Sequence, residues 1–322
     1  MDFIKQQIIN FDTIIIHGHK RPDGDCYGSQ LGLKDIIQEN YPHKKVYAVG
    51  EINPNMAFLG DMDSITDETY QDALSIVVDS GNANIISDQR YKLGKMIIRI
   101  DHHLSAEKYG NYHYQWVEPR FASCSEMIYT FKEYHNYKIS LKGAMPMYVG
   151  MVTDTGNFRF DRVTDKTLQM ASELLQFEFN AFEIDKKINT QSLQMLKLKG
   201  YICENFIAED GLIYIQISQE IIKKFNFSID EIFSIVNIYS NVADYPVWAF
   251  IVEMSSQEWK LSIRSAGPKI NHIVSKFDGG GHLRACGAFV KSQENIDEII
   301  NSLKQSIKEF KQEETLNIST ES

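Results

Sequence analysis

The chain has 322 residues, 43% hydrophobic and 24% charged, enough for two domains with sizeable cores. Its formal net charge of -10 excludes the basic surface by which proteins coat long duplex nucleic acid. No apolar run approaches the ~20 residues of a membrane-spanning helix.

The opening MDFIKQQIIN has neither a long apolar stretch nor a small-residue cleavage site, so no secretory leader is expected. Thr13 to Ile16 is β-branched throughout and predicts a buried strand. Ser29 to Glu39 has helical spacing, with Leu31, Leu33, Ile36 and Ile37 directed to a core. Lys45 to Val49, Ser75 to Val78 and Met96 to Ile100 predict three more strands. Largely apolar strands separated by helices point to a parallel sheet covered on both faces. A further helix starts near Ser123, where Ser123 and Glu126 have capping-box spacing. Met145 to Val152 is apolar but too short for periodicity to separate helix from strand. Asp165 to about Phe206 reads as mainly helical, and its later part is the candidate linker. From Gly211 the texture becomes β-rich, in LIYIQI, VWAFIVEM and WKLSIR, followed by Gly279-Gly280-Gly281. The tail after Lys311 is polar and expected to fray.

The four cysteines, Cys26, Cys124, Cys203 and Cys286, are scattered and form no CxxC pair. This argues against structural zinc and for a reducing, cytoplasmic setting.

The chemistry-bearing residues gather at the ends of apolar runs. His19, Asp23 and Asp25 follow the first strand with H-x-x-x-D-x-D spacing. Taken alone, this segment reads equally as a polar loop capping the next helix. Asp79 ends SIVVD, Asp101-His102-His103 ends the run from Met96, and Asp154 ends MVTD. Asp79 or Asp154 alone is an ordinary turn former. The set is more than its members, because a parallel sheet collects its strand ends on one edge, where such sheets bind ligands. Carboxylate and imidazole donors without thiolate suit Mn²⁺, and also Mg²⁺, Co²⁺ or Fe²⁺. Their number exceeds the needs of one ion and suits a pair bridged by a shared carboxylate, an arrangement common in phosphate-ester hydrolysis.

HKRPDGD, VVDSG, the triplet Asp101-His102-His103 and VTDTG stand in the order of the four motifs of the DHH phosphoesterase family, which the chain resembles. FDGGGHLRACGA, Phe277 to Ala288, resembles the glycine-rich signature of the DHH-associated C-terminal domain. Within the family, the compact length is most similar to the bacterial nanoRNases, which also dephosphorylate 3'-phosphoadenosine 5'-phosphate (pAp). RecJ-type exonucleases usually carry extra domains. Family II inorganic pyrophosphatases have a different second domain.

The resemblance implies an α/β fold: a parallel-sheet catalytic domain (1–185), a helical linker (186–207), a smaller α/β substrate-binding domain with a mixed sheet (208–311) and a polar tail (312–322). It implies two Mn²⁺ ions, with Mg²⁺ or Co²⁺ as substitutes. His19, Asp23 and Asp79 would hold the first, and Asp25, His102, Asp154 and a shared Asp79 the second. Asp101 would orient a histidine, and His103 would face the phosphate and assist the leaving oxygen. Arg264, Gly279, Gly280, Gly281 and His282 would grip the nucleotide. Gly18, Gly24, Leu283-Arg284 and Cys286 depart from the usual forms, and leave substrate preference open.

The expected activity is hydrolysis of short oligoribonucleotides and pAp, without membrane or long-duplex partners; a homodimer is left open. One alternative is a phosphodiesterase of linear or cyclic dinucleotides (pApA, c-di-AMP). A pyrophosphate or polyphosphate hydrolase is disfavoured by the GGGH segment. An inactive nucleotide-binding regulator is disfavoured by the intact ligand set.

Overall fold

The computed structural model describes residues 1–103, 111–255 and 258–320, with the backbone alone for 255 and 314–320. The chain divides into two compact units, Met1–Thr190 and Gln191–Ser322.

In the first unit, α1 (Asp2–Asn10) leads into β1 (Thr13–His17), α2 (Gly24–Asn40) and β2 (Lys45–Val49). Then come β3 (Leu74–Val78), β4 (Met96–Asp101), β5 (Tyr114–Val117) and helices α3 (Cys124–Tyr134), α4 (Leu141–Asp154), α5 (Asp165–Leu174) and α6 (Ala181–Asn189). The five strands are all parallel, in the order β2-β1-β3-β4-β5. Alternation along the strands fills both faces. Ile14 and Ile16 join the main core with Leu33, Ile36, Ile76, Ile98 and Phe131, whereas Ile15 packs with Val49 and Tyr70 on the other face. This two-sided burial is why the strands read as continuous apolar runs. Strand order reverses at β1, between β2 and β3, and the crevice beyond the carboxyl ends of β1 and β3 is the expected ligand position.

The 145–152 run resolves as helix, within α4. One of the four apolar runs that end in an acid or histidine is therefore a helix, and Asp154 reaches the site from a helix C-terminus. The Ser123 hydroxyl caps α3 by accepting from the Glu126 N–H at 3.0 Å. The Glu126 carboxylate instead accepts from the Ala122 N–H and the Thr167 hydroxyl, so only half of the capping box forms.

The second unit runs α7 (Leu193–Glu204), β6 (Ile207–Glu209), β7 (Leu212–Ile217), α8 (Gln219–Phe225), α9 (Ile229–Ser234), β8 (Val247–Ser255) and β9 (Glu258–Ser265). It ends with α10 (Asn271–Val274), β10 (Gly280–His282), β11 (Ala285–Val290) and α11 (Gln293–Thr320). Its six-stranded sheet, β10-β11-β9-β8-β7-β6, is mixed: β7 and β8 are parallel and the other pairs antiparallel. Val247, Ala249 and Ile251 face a core shared with α11, and Trp248, Phe250 and Val252 face one shared with α7 and α9. Within the stretch expected to link the domains, α7 buries Leu198 and Ile202 in this second core. Of the expected polar tail, 312–320 continues α11, while 321 and 322 lie outside the described residues.

Helices α2 and α4 meet at glycine. A Cβ on Gly28 would lie 2.4 Å from the Ser125 hydroxyl and 2.6 Å from the Pro146 carbonyl oxygen. The carbonyl belongs to backbone and cannot swing aside. Gly28→Ala is therefore expected to destabilise the fold by about 1–3 kcal/mol, read as a lowered denaturant midpoint. An unchanged midpoint would show that the helices are not held this closely.

A candidate two-metal centre at the strand ends

Each ligand candidate is delivered by a regular element. His19 lies in the turn after β1, fastened by backbone bonds from the Lys20 N–H to the Ile85 carbonyl (2.6 Å) and from the Ser87 N–H to that of Gly18 (2.9 Å). Asp23 is the N-cap of α2 and accepts from the N–H groups of Asp25 (3.1 Å) and Cys26 (3.0 Å). Helix capping and proximity to the site thus coincide in one carboxylate. Asp25, in the first turn of α2, accepts from the Cys124 (2.6 Å) and Ser125 (2.8 Å) N–H groups, which ties it to the N-terminus of α3. Asp79 follows β3 with a left-handed φ of 48°, unusual for a non-glycine residue, and its N–H donates to the Ile100 carbonyl. His102 and His103 follow β4.

These groups converge. Asp79 lies between two imidazoles, its Oδ2 3.4 Å from Nε2 of His19 and its Oδ1 3.4 Å from Nε2 of His102. Asp23 is 3.6 Å from Nε2 of His19. Asp154 and Asp25 stand 3.3 and 3.8 Å from Nε2 of His102. The Nδ1 atoms face backbone carbonyls, His19 that of Lys20 (2.9 Å) and His102 that of Phe121 (3.3 Å). Nδ1–H donation there turns each Nε2 lone pair toward the cluster, as in metal-binding histidines.

Asp101 is fully buried, between the Arg99 guanidinium and Nδ1 of His103, which is 2.8 Å away. Period-2 alternation puts Arg99 and Asp101 on one face of β4, opposite Ile98 and Ile100. His103 is the more open member of the pair of histidines and lies 3.6 Å from Asp79.

The arrangement fits cations. Oδ1 of Asp79 and Nε2 of His102 are buried and lack a hydrogen-bond partner of normal geometry, although they face one another. Most of the carboxylate–imidazole spacings around Asp79 and His102 exceed an ordinary hydrogen bond. Donors placed ~2.0–2.2 Å from a common ion stand roughly 3–3.5 Å apart. Three donor groups have ligand atoms within 4.8 Å of one another: His19, Cys26 and Asp79; Asp79, His102 and His103; Asp25, His102 and Asp154. Asp79 joins the first two and His102 the last two.

The electrostatics are those of acids gathered around two imidazoles. Burial disfavours charge on His102, yet facing Asp79, Asp25 and Asp154 raise its pKa to about 10. The pKa of His19 is raised too, burial being outweighed by Asp23 and Asp79. Asp79 is held well below the usual carboxylate range, burial being overridden by the two imidazoles. Burial pushes Asp154 up to about 6, and burial with the charges of Asp79 and Asp154 pushes Asp25 up.

Cys26 was absent from the sequence-derived ligand set, which assumed no thiolate. The signal was available: Asp23 and Cys26 are three residues apart at a helix start and share a face. Arg162, beside the Phe121 carbonyl and 3.4 Å from Nδ1 of His102, was also overlooked and carries no motif. His17 opens the same segment but is buried between Tyr70 and Tyr91, away from the cluster.

In the second unit, strand register aligns His282, Ala285, Arg264 and Trp248 across β10, β11, β9 and β8. Directly opposed residues share a face, so His282 and Arg264 flank Ala285 on one side of the sheet. Arg264 is partly buried, which lowers its pKa, and donates to the Ser262 hydroxyl and the Ile263 carbonyl. The three glycines differ. A Cβ on Gly279 would meet the Gly287 carbonyl at 2.5 Å, and one on Gly281 the Ala285 carbonyl at 2.6 Å. Their close approach is to the chain's own backbone. Only Gly280 opens onto free space.

Residues 13–151 match the model of the DHH family, N-terminal domain, and residues 210–309 that of the DHHA1 domain. The chain is 40% identical over 304 residues to the bifunctional oligoribonuclease and PAP phosphatase NrnA of Bacillus subtilis, covering 93% of this chain and 96% of that protein. It is 37% identical to the probable bifunctional oligoribonuclease and PAP phosphatase NrnA of Streptococcus mutans, covering 95% and 98%. The crystal structure of an exopolyphosphatase-related protein from Bacteroides fragilis superposes with a TM-score of 0.83, at 26% identity and 96% coverage of both chains. The chain belongs to the DHH family and carries a DHHA1 domain.

The titration behaviour predicts how metal affinity follows pH. A divalent ion competes with the proton of His102 below pH ~10, and below pH ~6 also with that of Asp154. Affinity for Mn²⁺ should therefore rise with pH across this range, and most steeply below ~6. Calorimetric titration of metal-stripped protein at several pH values measures it. An affinity independent of pH would remove these residues from the ligand set.

Proposed function

We propose that this DHH-family chain hydrolyses the phosphoester bonds of short oligoribonucleotides and removes the 3'-phosphate of pAp, leaving AMP. The observation that carries a phosphoesterase reading is Asp79, with one oxygen toward His19 and the other toward His102, at the β1–β3 crevice. The substrates are those in the names of two relatives matched over nearly their whole length.

His19, Asp23 and Asp79 would hold one ion, and Asp25, His102, Asp154 and the shared Asp79 a second. The mainly oxygen and nitrogen donors favour Mn²⁺, with Mg²⁺ or Co²⁺ as substitutes. When bound, such a pair supplies positive charge for the phosphate oxygens and a nucleophilic water near neutral pH.

The remaining work falls to the chain's own residues. Asp101 fixes the ring of His103 through Nδ1, leaving Nε2 to meet the substrate. Burial works against charge on His103, but the Asp101 hydrogen bond raises its pKa, so it keeps a proton to higher pH than an ordinary histidine. A proton at Nε2 can pass to the leaving oxygen. Arg99 neutralises buried Asp101 and holds it in place. In the second unit, the remaining guanidinium donors of Arg264 can take a phosphate, with His282 alongside in the same cross-strand row. The four cysteines are free thiols, which supports a cytoplasmic setting. Among the described residues no helix is long and apolar enough to cross a membrane.

The test is Mn²⁺-dependent turnover of very short 5'-labelled RNA, a long RNA oligomer, pAp and a linear dinucleotide, side by side. Rapid loss of the short RNA and pAp is expected. Turnover of the long oligomer alone would reject the proposal in favour of a processive exonuclease, and turnover of the dinucleotide alone in favour of a dinucleotide phosphodiesterase. Asp79→Ala should lower turnover by at least ~100-fold, the upper end of what outer partners of a metal contribute, with the fold retained. Arg264→Ala should lower kcat/KM roughly 10–100-fold, as expected for a lost charged hydrogen bond, chiefly through KM. Near-normal activity of reloaded Asp79→Ala would sink the two-metal assignment.

A further inference from the structure

We propose that the thiol of Cys26 is a donor, beside His19 and Asp79, to the cation at the β1–β3 end of the site. It would make that position hold thiophilic divalent ions such as Co²⁺ and Cd²⁺ more tightly than oxygen and nitrogen donors alone. The proposal rests on the metal-site reading above and deepens it.

Three of the four cysteines are buried, but their surroundings differ. Cys124 and Cys286 belong to hydrophobic clusters. Cys26 is fully buried and belongs to none of them. Its neighbours are polar: His19 and Asp79 on one side and Gln30 on the other. The Gln30 side chain is fixed, because its Nε2 donates to the carbonyls of Ile16 and Val49, both at 3.0 Å. Its Oε1 accepts the Cys26 S–H at 3.5 Å. A thiol whose proton is held on that side presents its sulfur lone pairs elsewhere, and His19 and Asp79 lie within ligand spacing of it.

Two independent features make this a built position. The Asp79 carboxylate, only 2% exposed, turns its Oδ2 to this side, 3.4 Å from Nε2 of His19. Gly18 leaves room for the sulfur, since a Cβ there would lie 2.3 Å from Sγ. Sulfur is a softer donor than imidazole or carboxylate and selects softer ions. A coordinating thiol gives up its proton to the ion's field.

The experiment strips metal from the full chain and reloads it with Co²⁺, comparing wild type with Cys26→Ala and Cys26→Ser. Wild type should show a near-ultraviolet thiolate-to-cobalt charge-transfer band. Both variants should lose the band while keeping the visible bands of bound cobalt. Cd²⁺ titration should give at least ~10-fold weaker binding in Cys26→Ser, the low end of what even outer partners of a metal contribute. The wild-type spectrum decides by itself if a variant fails to fold. Bound cobalt without the band in wild type, or a band that survives in Cys26→Ala, overturns the proposal and leaves the metal-site reading standing. No cobalt binding by wild type overturns both.

Discussion

The first unit depends on how Asp79 is held. Its buried carboxylate feels the charges of Asp25 and Asp154, and such a gathering is unstable unless positive charge enters it. The imidazoles of His19 and His102 supply that charge as protons, which is why their pKa values are raised. The backbone gives a further constraint. Asp79 adopts a left-handed conformation at the end of β3, which costs a non-glycine residue roughly 1–2 kcal/mol. Strain of this kind persists where the surroundings fix the residue in place, and it clusters at functional sites. Here the bond from the Asp79 N–H to the Ile100 carbonyl ties it to β4, the strand that delivers His102.

The scaffold serves this convergence. Parallel pairing sets β1, β3 and β4 side by side at ~4.8 Å spacing, so the residues after their last members are neighbours without any long loop to order. The two helical carboxylates need a different device. Asp25 is locked by two amides at the start of α3, and Asp154 arrives from the end of α4. Both depend on α2 and α4 approaching more closely than side chains usually permit, and Gly24 and Gly28 allow it. A Cβ on Gly24 would lie 2.4 Å from the Thr153 hydroxyl, next to Asp154 itself.

What could be read from the chain follows from the same physics. Strands buried on both faces announce themselves as apolar runs, so β1 to β4 were legible, and with them the histidines and acids that follow β1, β3 and β4. The order of the strands was not, although a parallel sheet was enough to predict that the ends meet. MPMYVGMV carries no period decisive over eight residues, and only packing against α2 makes it helix. β5, β6, β10 and β11 were missed for other reasons. GGH has little intrinsic strand signal and exists because β11 offers its edge, whereas YQWV carries the strand formers Tyr, Trp and Val but is only four residues long and pairs at the edge of β4. The spacing of Asp23 and Cys26 put the cysteine on the ligand face, but its nearness to His19 emerges only when the turn after β1 meets the start of α2.

The two units present opposite electrostatic problems. The first gathers carboxylates, so without bound cations it repels a phosphate. The second holds Arg264 partly desolvated, with its pKa lowered, and no carboxylate forms a salt bridge with it among the described residues. A guanidinium in that state favours an anion, and a phosphate supplies one with bidentate geometry. On the proposed assignment, the phosphate contact at Arg264 is a standing one, whereas the contact at Asp79 appears only once cations have replaced the protons. The net charge of -10 is compatible with a phosphate ligand on these terms, because attraction is confined to two local positions.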